Sequence, residues 1–170
     1  MKKTTVRDIA LIGVCSAILI GLQVAMAPLP NIEVVTLLII VYTQNLKRKT
    51  LYIIYVFAIA EGLIYGFALW WVMYLYVWTI LYFIVAALGR IPAASNSDNP
   101  VLWALVAGIF GLLFGAMCSL PYFVVLGPAG GLAYIISGVN FDLIHCAGNF
   151  VITLLLWKPL SALFKKIIQS

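Results

Sequence analysis

All ten lysines and arginines of this 170-residue chain fall in four places, and nearly every stretch between them is apolar. The four are Lys2, Lys3 and Arg7; Lys47, Arg48 and Lys49; Arg90; and Lys158, Lys165 and Lys166. The intervening runs approach about 20 residues, the length that crosses about 30 Å of hydrocarbon as a helix. They lack the alternating pattern of an outer-membrane barrel. Only 9% of residues are charged, against roughly a quarter in a soluble domain. The expected fold is therefore all-α: one integral membrane domain over residues 1–170.

Breaks in the runs predict a compact bundle of six transmembrane helices. These run from about Asp8 to Ala27, Val34 to Leu46, Leu51 to Ala68, Trp70 to Leu88, Val101 to Leu120 and Asn140 to Leu160. The second is too short to cross without tilt. The first ends in Ala25-Met26-Ala27, which resembles a signal-peptidase site, but Pro28 follows directly and the run is span length. It is read as a span. "GRIPAASNSDNP" (89–100) reads as a polar loop, and "PYFVVLGPAGGLAYIISG" (121–138) as a Pro/Gly-broken apolar connection. With six spans, all four basic clusters fall on one side, so the positive-inside rule makes both termini cytoplasmic. Five or seven spans would scatter them. The net charge of +5 is then a matter of topology and requires no nucleic-acid partner.

This orientation assigns a depth to each polar residue. Glu61 falls in the outer half of the third span. Asp142, His145 and Asn149, spaced 0, +3 and +7, share one face of the outer turns of the sixth. Trp71, Tyr74, Trp78 and Tyr82 share a face of the fourth, and the first outer loop adds Asn31 and Glu33. A carboxylate inside a bilayer costs about 2.5–3.5 kcal/mol on insertion scales, so Glu61 and Asp142 are expected to face protein or a wet cavity. Asp142 and His145 acting as internal glue, or Asp142 as a cap, and an interfacial aromatic belt are the plainer readings of these groups. Taken jointly, they predict an outward-facing ligand pocket with aromatic walls and a few polar anchors.

Several chemistries are missing. There is no P-loop, no H-E-x-x-H, and a single histidine, so ATP hydrolysis by the P-loop route and an intramembrane zinc protease are excluded. Cys15, Cys118 and Cys146 have no metal-like spacing and read as small buried hydrophobes. No metal and no cofactor is predicted. No internal repeat suggests a self-sufficient secondary transporter. Two small-residue ridges stand out: Gly13, Ala17, Gly21 and Ala25 in the first span, and Gly111, Gly115 and Ser119 in the fifth. Such ridges let helices approach closely where lipid gives no hydrophobic drive. The first is expected to meet a partner protein and the second to pack inside the chain.

In size, span count and the order of these features the chain resembles the substrate-binding S components of energy-coupling factor (ECF) vitamin transporters. The first-helix ridge, the "PLPNIEVVTLLI" lead-in to the second span and the "FDLIHCAGNF" of the last carry the resemblance. It implies a multi-pass subunit of the bacterial cytoplasmic membrane that binds a vitamin from outside and reorients in the membrane. The work would be shared with a transmembrane coupling protein and two cytosolic ATPases, so this chain itself would not be an enzyme. It further implies docking to the coupling protein through Gly13, Ala17 and Gly21. The pocket would comprise Asn31, Glu33, Glu61, Trp71, Tyr74, Trp78, Asp142, His145 and Asn149. The "PNIE" loop and the "GFALWW" and "YLYVW" segments look most like the cobalamin-transporting branch. Pantothenate and a queuosine precursor are the other substrates considered, and the scarcity of outward basic residues argues against polyglutamylated folates. The rival readings are a membrane enzyme using Asp142 and His145 as acid and base, and an assembly protein whose polar groups are only glue.

Overall fold

A computed structural model describes residues 5–91 and 99–169, with side chains described through residue 167. Lys2, Lys3 and residues 92–98 of the predicted 89–100 loop lie outside the described residues. Among the described residues every regular element is helical: α1 (Val6–Met26), α2 (Val35–Leu46), α3 (Lys49–Tyr65), α4 (Leu69–Leu88), α5 (Pro100–Leu112), α6 (Phe114–Cys118) and α7 (Leu120–Gln169). Three stretches are long and apolar enough to cross a membrane: Val6–Met26, Leu69–Leu88 and Leu120–Ile167. Large apolar side chains such as Val14, Leu63, Phe83, Val124 and Ile136 lie exposed along these helices, as a lipid-facing surface requires.

The short second run is the hub. All but two of the twelve α2 residues are buried, and the helix touches α1, α3, α4, α5 and α7. A helix apolar all round belongs inside. Two of its polar side chains bond back along its own backbone, Thr43 Oγ1 to the Ile39 carbonyl at 2.7 Å and Asn45 Nδ2 to that of Val41 at 2.7 Å. This satisfies polar groups where no water reaches. α1 is equally apolar but peripheral, and buries only Cys15, Ser16 and Leu19. It opens with a capping box in which Thr5 and Asp8 exchange side-chain-to-backbone bonds.

The structure changes the reading of the second half. Residues 121–138 were expected to form a broken connection but are helical except at one point. Gly127 (φ 71°) reverses the chain, a backbone geometry suited to glycine, and Pro128 follows where a missing N–H is harmless. The result is an antiparallel helical hairpin: Pro100 to Leu126, with local irregularities at Leu113 and Ser119, against Pro128 to Gln169. Rungs recur along its length, from Tyr122 stacked on Tyr134 (4.3 Å between centroids) near the turn to Trp103 on Trp157 (5.3 Å) far from it. α3 also ends earlier than expected, at Gly66 (φ 87°) rather than Ala68.

The ends of the molecule differ in charge. Arg7, Lys47 and Lys49 line one cleft with Ile167, and Lys47, Arg48 and Arg90 line a second beside it. Arg7 donates to the Ile167 carbonyl and Lys49 pairs with Asp8. The start of α1, the α2–α3 turn, the end of α4 and the end of α7 thus share one basic end.

Candidate functional site

At the other end of α2 the chain entering it makes the cavity. Residues 27–34 hold Pro28 and Pro30 and turn through Asn31 at φ 60°, a conformation Asn tolerates. Glu33, just ahead of α2, accepts the Thr36 backbone N–H at 2.8 Å and the Thr36 hydroxyl at 2.5 Å. The carboxylate therefore sits on the positive end of the buried helix. Its Oε1 also meets His145 Nε2 at 3.1 Å, with both side chains nearly buried. Burial opposes the charge, but the His145 and Thr36 bonds together outweigh it and hold the Glu33 carboxyl below its ordinary value of 4.5. An ionised carboxylate only accepts, so Nε2 of His145 carries the proton on this bond.

A cavity of about 150 Å³ lies beside this pair. Gln23 and Met26 of α1, most of the 27–33 segment, Tyr74 and Trp78 of α4, Phe114 of α6 and His145 of α7 line it. Its aromatic wall is continuous: Tyr74 to Trp78 at 5.6 Å, Trp78 to Phe114 at 5.6 Å and Phe114 to His145 at 4.8 Å between ring centroids. Trp78 Nε1 and His145 Nδ1 are buried without a protein partner among the described residues. Buried polar atoms are ordinarily satisfied, so these two are unmet hydrogen-bonding groups on residues that line the cavity.

Of the nine pocket residues expected from sequence, Asn31, Glu33, Tyr74, Trp78 and His145 line this cavity. Asn149 stands one bond back, donating to Thr36 Oγ1 at 3.2 Å. Asp142 does not line it: its Oδ1 accepts the Gly115 backbone N–H at 2.9 Å and ties the two arms of the hairpin together. Trp71 turns away, donating from Nε1 to the Ala58 carbonyl at 2.8 Å and standing edge-on to Phe67. Glu61 is buried in α3, 2% exposed, with Oε1 unpartnered. Gln23, Thr36 and Phe114 were not singled out. Gln23 is the one amide in the first span, and Thr36 follows Glu33 at capping distance, so both left a trace in the sequence.

The two ridges part company. A Cβ on Gly13 or Gly21 would meet nothing within 4 Å, and Ala17 is exposed. The second ridge is internal: a Cβ on Gly111 would lie 2.8 Å from the His145 carbonyl oxygen, and one on Gly115 2.4 Å from the Asp142 carboxylate. Compared with known families, curated proteins and solved structures, the chain matches no family model, no curated protein and no solved structure.

Proposed function

We propose that the chain is the substrate-binding subunit of an ECF-type vitamin importer, lying in the bacterial cytoplasmic membrane as six spans with both termini inside. The observation that carries this reading is the partly open cavity, with Tyr74, Trp78 and Phe114 on one side, formed by the 27–33 segment, α1, α4, α6 and α7 at the end of α2 away from the basic clusters. Under the positive-inside rule that end faces out. The Glu33–His145 bond ties the first outer loop to the last helix, so the loop serves as the cavity's door. The exposed Gly13–Ala17–Gly21 ridge supports docking to a transmembrane coupling protein, with two cytosolic ATPases supplying the energy. The protein binds and delivers; it catalyses nothing itself.

The cavity volume bears on the substrate. Pockets for drug-sized ligands run from roughly 300 to 1,000 Å³, and this one holds about 150 Å³. Cobalamin, the substrate suggested by sequence resemblance, fits only with the loop swung well clear. A compact vitamin or precursor fits with far less movement. The enzyme reading is weakened because Asp142 is committed to the hairpin, away from the cavity. Growth rescue of vitamin auxotrophs by this chain with a complete coupling module, across a panel of vitamins, tests the proposal. Rescue by one vitamin supports it; chemical conversion of a ligand by the isolated chain sinks it.

A further inference from the structure

We infer that the cavity is selective for a compact organic cation. This rests on reading the cavity as a substrate site and names the class of molecule it takes.

The lining holds one carboxylate, Glu33, and no lysine or arginine. A second carboxylate, Glu61, is buried in α3 with one oxygen unpartnered among the described residues. Three aromatic side chains, Tyr74, Trp78 and Phe114, stand among the twelve residues that line it, and aromatic faces attract cations through their quadrupoles. An anion entering here would be buried beside Glu33 with no lysine or arginine to offset it, the arrangement that burial penalises most. His145 adds direction. Its Nε2–H is given to Glu33, which leaves Nδ1 as the ring nitrogen without a partner among the described residues. Trp78, on the same lining, carries a donor Nε1–H likewise without a partner among the described residues. At roughly 30 Å³ per water, the space equals about five waters. That matches a small ammonium or a charged heterocycle. It disfavours pantothenate, which is an acid.

Choline, its neutral carbon isostere dimethylbutanol and the anion dimethylbutyrate have nearly the same shape and differ in charge. Titration of the full chain in detergent, followed by calorimetry or tryptophan fluorescence, should give saturable choline binding. The neutral isostere should bind about tenfold more weakly, and the anion not measurably. Glu33→Gln keeps one oxygen for the Thr36 hydroxyl and His145 but removes the charge, so it should weaken choline about tenfold more than it weakens the isostere. If that variant fails to fold, Tyr74→Leu, which deletes one aromatic wall, should narrow the preference in the same direction. Equal or tighter binding of the isostere or the anion overturns the inference, as does absence of saturable choline binding. Vitamin rescue without a cation preference would sink this inference alone. A cation preference without any rescue would sink the transport reading alone.

Discussion

The two small-residue ridges read alike in sequence and behave in opposite ways. Gly111 and Gly115 lie against backbone and carboxylate of the facing arm, so close that a methyl group has no room. Gly13 and Gly21 look onto open space. Spacing by four encodes close approach and leaves unsaid what approaches. For the inner ridge the partner is supplied by Gly127, which folds the last helix back along the fifth. For the outer ridge nothing among the described residues does so.

Substitutions of graded severity put this contrast at risk. The largest effect is expected at Gly111→Val, where the new Cβ would meet the His145 and Cys146 backbone at 2.8 to 3.0 Å. Backbone cannot step aside, so a loss of about 3 kcal/mol or more should appear as a large drop in the detergent melting temperature. A near-normal melt would mean that the arms sit further apart. Next, Asp142→Ala removes the carboxylate that accepts Gly115 N–H and should cost about 1–3 kcal/mol, while Asp142→Asn keeps an acceptor and should retain most of it.

The loop tied to the hairpin is weaker. Because Glu33 ionises more readily in the fold than in the unfolded chain, its bonds stabilise fully above about pH 4.5. That contribution is lost as pH falls through its lowered native value. Glu33→Gln should therefore cost roughly 1–2 kcal/mol at neutral pH. It should also flatten the decline in melting temperature below pH 4.5, and an unchanged acid slope would rule the bridge out as its source. On the outer ridge Gly13→Ala should stabilise by about 0.5–1 kcal/mol, since a helical glycine gains from a methyl that meets nothing. Smallest is Ala17→Trp: melting within about 0.5 kcal/mol of the parent, with vitamin uptake abolished if the ridge docks a coupling protein. Loss of folding there would place the ridge inside.

These contrasts show which levels of structure the sequence made legible. Spans one and four could be read from length and hydropathy, because a helix in lipid needs little else. The gathering of Arg7, Lys47, Lys49 and Arg90 at one end followed from counting spans. The hairpin did not. Dense glycine and proline at 121–138 reads as a break, yet only Gly127 leaves the helical region. Gly131 is small because the Phe123 ring lies over it, and Gly130 because Leu126 does; at both, glycine serves packing and not a turn. Spacing also grouped Asp142 with His145, correctly as one face of a helix. It could not foresee that the face meets two different neighbours, a backbone N–H at Gly115 and a loop carboxylate at Glu33. Phe114 left no mark at all, being one apolar residue among many.

The arm from Pro128 to Gln169 has a mechanical consequence. It carries His145 at the cavity and Ile167 beside Arg7 at the basic end, and Phe164 meets Tyr42 at 5.1 Å on the way. The 22 steps from residue 145 to 167 make a rod of roughly 33 Å. Pro159 is the one proline along that rod, and so its softest joint. A rod so placed makes the His145 side of the cavity and the Ile167 carbonyl beside Arg7 two ends of one continuous helix.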